Sequence, residues 1–151
     1  MISPEKLRRF PLFAGVDPAL LKDIAMVGEE VAFDEGEWLF IEGDDANALY
    51  LVLGGSLELK IDLNQDGTRR ADLLTLTEGS VAGWSALVDP YVYTLGALAM
   101  TTVQAAHLDG VKLRRLMDAN PVLGYQIMKQ LSKVLGERLT NMRIQFVSLV
   151  S

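Results

Sequence analysis

The chain has 151 residues, half of them hydrophobic, with a formal charge of −6, no cysteine and one histidine. A chain of roughly 150 residues buries about 68–70% of its unfolded surface, so a single domain over residues 1–151 can hold a proper core without disulfide or thiolate-metal staples. The acidic balance argues against nucleic acid as a partner, no apolar run nears the roughly 18 residues of a membrane span, and Met1-Ile2-Ser3-Pro4-Glu5-Lys6 lacks a leader's basic-then-apolar start, so a cytoplasmic chain off the membrane is expected.

Residues 4 to 27 read as helical. Leu7 and Phe10 precede Pro11, and Asp17 is placed to cap a helix that has Pro18 in its first position and Leu20, Leu21, Ile24 and Ala25 on one face. From Glu30 the apolar period shortens to two, and glycines at 36 and 43 fall where one strand gives way to the next. Ala48 to Leu53 reads as a buried strand, Gly54-Gly55 as a tight turn, and Leu57 to Ile61 as an alternating strand running to a turn at Asn64-Gln65-Asp66-Gly67. Arg70 to Thr77, Tyr93 to Met100 and Thr102 to Leu108 add strands, so a β-sandwich or barrel is expected.

One stretch, Gly79 to Ala97, interrupts this pattern with a single helical turn at Trp84 to Val88, ended by Asp89-Pro90. A short helix opening on a glycine aims backbone N–H groups inward and is a natural seat for an anion; the alternative is a bulged loop that covers the end of the barrel. Asp109 and Gly110 then end the β region, and Val111, Leu113, Leu116 and Met117 mark an amphipathic helix up to Asn120-Pro121. From Val122 to about Val150, Met128, Leu131, Leu135, Leu139, Met142, Phe146 and Leu149 recur at spacings of three and four. That stripe either packs back on the barrel or pairs with its copy in a homodimer, and its persistence to the C-terminus favours the dimer. Gly136 costs about 1 kcal/mol against alanine there, which suggests a close helix approach or a hinge.

The order of these elements resembles the cyclic-nucleotide-binding domain of the catabolite activator protein and protein kinase A regulatory-subunit family. Phe13-Ala-Gly15-Val-Asp-Pro-Ala-Leu-Leu-Lys is similar to its N-terminal helical motif, Gly36 to Asp44 and Leu49 to Gly55 to its central signature, and Gly79, Gly83 to Leu87 and Pro90 to Thr94 to its phosphate-binding cassette. The resemblance implies a mainly β fold, an eight-stranded jelly-roll barrel over 29–108 with the cassette at 79–97, N-terminal helices over 1–28 and C-terminal helices over 109–151. It places a ligand site at Gly83, Trp84, Ser85, Ala86, Tyr91, Val92, Tyr93 and Thr94.

The cassette departs from the family pattern where the chemistry lies. The family's glutamate, which accepts from the ribose 2′-hydroxyl, aligns with Trp84, and its phosphate-pairing arginine with Tyr91; the loop from Leu87 to Pro90 is also about two residues shorter. An indole N–H only donates, and a phenol carries no charge at pH 7. Two lost charged hydrogen bonds, each worth about 1.5–3 kcal/mol, weaken a cyclic nucleotide by about two to four powers of ten. Backbone amides near Ser85 and Ala86, the Ser85 hydroxyl and Thr94 remain as an anion-friendly frame, while Trp84, Tyr91 and Tyr93 either stack on another small molecule or plug the pocket. Trp84→Glu with Tyr91→Arg would restore part of the affinity if that frame is intact.

The implied function is a non-catalytic regulatory or sensory module that signals through the helix from Pro121 to a protein partner. An unorthodox cyclic-nucleotide receptor and a ligand-free interaction scaffold are the alternatives. Family members that act on DNA carry a helix-turn-helix domain after the long helix, and the chain ends at Ser151, so no nucleic-acid contact is expected. An enzyme of the similar cupin fold would gather several histidines around a metal. His107 is expected to be a packing or surface residue, with no catalytic residues, metal or cofactor.

Overall fold

The computed structural model describes residues 1–151. Three short helical pieces lead in: α1 at Pro4–Arg8, a 3-10 turn at Pro11–Phe13 and α2 at Pro18–Met26. The Asp17 carboxylate accepts from the Ala19 N–H at 2.9 Å, which is the expected N-cap. Eight strands follow: β1 Gly28–Phe33, β2 Trp38–Phe40, β3 Ala48–Gly54, β4 Leu57–Asp62, β5 Arg70–Leu76, β6 Val81–Ala82, β7 Gly96–Ala99 and β8 Val103–Asp109. The 3-10 turn Trp84–Leu87 lies between β6 and β7, and α3 (Gly110–Ala119) and α4 (Pro121–Val150) close the chain.

The strands form two four-stranded antiparallel sheets, ordered β1-β8-β3-β6 and β2-β7-β4-β5, which is a jelly roll. The expected eight strands are present, but the two sheets are not joined into a closed barrel: β6 has two residues and β2 three, too few to carry pairing around the edges. Gly54-Gly55 does not join hairpin partners either, because β3 pairs with β8 and β6 while β4 pairs with β5 and β7. The turn instead passes the chain from one sheet to the other. β7 begins three residues later than the alternation suggested, since the Tyr93 N–H and C=O are taken by Asp44 and Gly43 of the loop after β2.

A single buried cluster joins both sheets to α1, α2 and the first half of α4. Leu123, Ile127 and Leu131 of α4 are fully buried, at spacings of four. Beyond them the helix leaves the core: Leu139, Phe146 and Leu149 are 68%, 63% and 84% exposed. The first half of the stripe therefore packs on its own domain and the apolar side chains of the second half are bare, although Gln145 Nε2 there still donates to the Leu73 carbonyl of β5 at 3.0 Å. An added Cβ at Gly136 meets nothing within 4 Å, so no close approach inside the chain calls for glycine there. No helix is long and apolar enough to cross a membrane.

Gly55 takes φ +85°, and a Cβ there would lie inside the contact distance of the Thr102 carbonyl. Gly55→Ala combines a left-handed strain with a backbone clash and should cost about 3 kcal/mol or more. Urea unfolding of the variant is the check; a loss under about 1 kcal/mol would mean that the inter-sheet turn is not fixed by this contact.

Candidate functional site

β6 delivers the chain to Gly83, whose φ of +83° turns it into the 3-10 segment Trp84–Leu87. A Cβ at Gly83 would sit 3.0 Å from the Ala48 carbonyl oxygen and 3.1 Å from Tyr93 Cε1, so glycine is required both by the dihedral and by the ring packed against it. Tyr93 is buried. Its hydroxyl donates to the Ala48 carbonyl at 2.6 Å and accepts from the Ala48 N–H at 3.3 Å. The ring stacks on Phe40 with centroids 3.9 Å apart and 12° between planes, and Phe40 meets Tyr50 of the opposite sheet at 6.0 Å. Phe33 and His107 set edges against Tyr50 at 5.9 and 5.3 Å. His107 is thus a packing residue, set against its cross-strand neighbour Tyr50 within one sheet, and no group of three His, Cys, Asp or Glu side chains is arranged to hold a metal.

Of the eight residues expected to form the site, Gly83, Trp84, Ser85, Tyr93 and Thr94 line one small cavity, joined by Phe40 and by Arg138 from α4. Ala86, Tyr91 and Val92 do not. Ala86 is fully buried behind the turn; its N–H donates to the Gly83 carbonyl at 3.0 Å, and its carbonyl accepts from Arg114 Nη1 at 2.6 Å. The Ala86 amide that the sequence offers to an anion is therefore used by the turn itself. Tyr91 has φ +58°, and its ring lies 3.8 Å from the Arg114 guanidinium of α3, a cation–π contact. Val92 forms an isolated bridge with Asp45.

The cavity that remains beside Gly83 is about 20 Å³. A water needs about 10–15 Å³ on this measure, whereas organic ligands occupy pockets of about 300–1,000 Å³. A larger hollow of about 610 Å³ lies elsewhere, between α1 and the strands β1 and β3, with Lys6 and Glu30 already paired on its rim.

Set beside known proteins, residues 30–120 match the family model described as the cyclic nucleotide-binding domain. The chain belongs to the cyclic nucleotide-binding domain family. It is 34% identical to a solved candidate cyclic nucleotide-binding protein from Geobacter metallireducens GS-15, with a TM-score of 0.83 over 92% of this chain and 99% of that one. The N-terminal domain of a transcriptional regulator from Streptomyces coelicolor A3(2) is 28% identical, with a TM-score of 0.70 over 87% of this chain and 93% of that one. A CRP-like cAMP-activated global transcriptional regulator of Mycobacterium tuberculosis (strain ATCC 25618 / H37Rv) is 29% identical over 135 residues, 89% of this chain. The chain spans 58% of that regulator's length.

Within this cyclic nucleotide-binding domain, the residue that sequence reasoning missed is Arg138. It is 8% exposed, and its Nη2 donates to the Val81 carbonyl of β6. Burial pulls its pKa below the ordinary arginine value, partly opposed by the neighbouring Glu137 carboxylate. In sequence it reads as half of a solvated Glu-Arg pair within an apolar stripe; the signal available was its place seven residues after Leu131, on the same helix face.

Burial also pushes the Tyr93 phenol up to about 12, from an ordinary value of 10.0. A raised folded-state pKa means that the native protein keeps this proton where the unfolded chain releases it. The contribution is whole below pH 10 and is lost as pH rises through about 12, so stability should fall by about 2 kcal/mol across that window. Urea titrations at stepped alkaline pH check this. Tyr93→Phe should flatten the decline, leaving the part that belongs to Tyr50, which burial also raises. A decline of unchanged depth in Tyr93→Phe would refute the assignment.

Proposed function

We propose that this domain is a non-catalytic regulatory module whose cassette does not take cyclic AMP or cyclic GMP in the usual way, and whose output passes through α4 to a protein partner. The observation that carries the reading is the Phe40–Tyr93 stack, anchored on Ala48, which occupies the space beside Gly83 and leaves about 20 Å³. Two chemical losses support it. Trp84 offers no acceptor to a ribose hydroxyl, and Tyr91 carries no charge and has its ring committed to Arg114. The family relatives are regulators rather than enzymes, which favours a signalling role inside the cytoplasm.

Calorimetric titration with cyclic AMP and cyclic GMP, paired with thermal shift, tests this directly, because a ligand of the native state raises apparent stability. Neither nucleotide should give heat or a shift at millimolar concentration; micromolar binding would overturn the reading in favour of an unorthodox receptor. Trp84→Glu with Tyr91→Arg restores charge but not room. That double variant should stay silent, and adding Tyr93→Ala should open measurable binding if space is the remaining obstacle.

The second half of α4 is read as a homodimer contact. Leu135, Leu139, Met142, Phe146 and Leu149 follow each other at spacings of four, three, four and three, the seam of a two-stranded coiled coil. Sedimentation over a range of concentrations should give a dimer, and Leu139→Asp with Phe146→Asp a folded monomer. A wild-type chain that stays monomeric at high concentration would refute the contact.

A further inference from the structure

The sheet β1-β8-β3-β6 carries a hollow on the face turned away from the other sheet. Tyr50 of β3 meets Phe40 of the opposite sheet, and Phe33 and His107 set their edges on the same Tyr50 ring, so these side chains mark the inward face. By strand alternation Ala32 of β1 and Gln104 of β8 point the other way, and the register makes them cross-strand neighbours. On β3, Val52 pairs with Ala105 and Gly54 with Gln104, so Leu53 is the extra residue of a bulge, a device that re-aims a side chain out of the regular alternation. Ala32, Leu53 and Gln104 line a hollow of about 610 Å³, with Phe10 beside them at the end of α1. It shares no residue with the cavity beside Gly83. Its rim carries balanced charge. The ion pairs of the domain are Lys6–Glu30, Arg8–Glu5, Lys60–Asp72 and Arg70–Asp62; Lys6 and Glu30 therefore neutralise each other at the hollow, while Arg9 and Glu78 there belong to no pair.

We propose that this hollow binds a short peptide of two or three residues with free termini and apolar side chains, its carboxylate on Arg9 and its ammonium group on Glu78. The size agrees: organic ligands occupy pockets of about 300–1,000 Å³. β1 and β3 stand two strand spacings apart, about 10 Å, and an extended tripeptide spans about the same length. The charge selects the class. One cation and one carboxylate remain on the rim, so a ligand that engages both must carry both signs. A nucleotide or another polyanion would be repelled by Glu30 and Glu78, and a purely apolar molecule would strip water from two charges without replacing it. The planar Arg9 guanidinium matches a carboxylate, the Gln104 amide both donates to and accepts from a peptide group, and Leu53 and Phe10 receive the apolar side chains. No residue from Gly83 to Thr94 lines the hollow, so the two sites are tested separately.

The test is calorimetric titration of the whole chain with the tripeptide leucyl-alanyl-leucine, its N-acetyl form and its C-terminal amide. The free tripeptide should bind saturably at one site, and blocking either terminus should weaken it about three- to tenfold. Arg9→Gln should weaken the free tripeptide by a similar factor and leave the amide unchanged; Glu78→Gln should do the same to the free tripeptide and leave the acetylated form unchanged. Ala32→Trp, which fills the hollow from an exposed strand position, should abolish binding. Amide nuclear magnetic resonance of the wild-type protein needs no variant to fold: the tripeptide should shift the signals of Ala32, Leu53 and Gln104 and leave those of Trp84 and Ser85 in place. No saturable heat at millimolar tripeptide, affinity indifferent to both termini, or shifts centred on Trp84 and Ser85 would each overturn the proposal. Octanoate, an apolar acid without an ammonium group, bound as tightly as the tripeptide would overturn the choice of ligand class.

Discussion

The interior of this domain is governed by where one phenol points. The Tyr93 hydroxyl exchanges hydrogen bonds with both backbone groups of Ala48, and this fixes the ring between Gly83 and Phe40. A buried hydroxyl with both roles satisfied is expensive to displace, since moving it strands two backbone groups as well as the phenol. Other features follow from the same contact. Gly83 must be glycine to admit the ring, the loop at 43–44 pairs with the Tyr93 backbone, and β7 cannot start before Gly96. The segments around Gly83 are thereby joined by aromatic packing that runs from Tyr93 through Phe40 to Tyr50 of the opposite sheet.

The cassette's outer side is held with equal economy by α3. One residue, Arg114, covers the Tyr91 ring and donates to the Ala86 carbonyl, so it fixes both limbs of the loop around Asp89-Pro90. Tyr91 occupies a left-handed backbone conformation that costs a non-glycine residue about 1–2 kcal/mol, a penalty of the same order as a partly desolvated cation–π contact. On the inner side Arg138 reaches β6 from α4. The two C-terminal helices therefore hold neighbouring parts of the same segment, α4 at β6 and α3 at the turn that follows it.

Much of this architecture was legible in the chain itself. The switch from period four to period two near Glu30, the Asp17 cap, the break at Asp109-Gly110 and the glycine-marked turns each rest on local physics, and local physics is what a single sequence carries. The departures at Trp84 and Tyr91 were equally visible, because they are substitutions of chemical type at known places in a motif. What the sequence withheld is direction. Whether Tyr91 faced the pocket or α3 depended on Arg114, distant in the chain, and the closure at Tyr93 depended on Ala48, 45 residues away. Arg138 was hidden for a related reason: a charged residue on a mostly apolar helix reads as solvated until its neighbours are known. Of the two open readings of the long helix, packing on the chain's own domain holds for its first half, and periodicity alone does not mark where that packing ends.

That division leaves α4 fastened to the sheets at two points. Arg138 is the last buried residue of the helix, and the stretch from Leu139 to Val150 extends about 18 Å past it at about 1.5 Å per residue. Within that stretch Gln145 Nε2 donates to the Leu73 carbonyl of β5 at 3.0 Å, as Arg138 donates to the Val81 carbonyl of β6. The orientation in which the chain presents its bare apolar side chains is therefore set by β5 and β6 together.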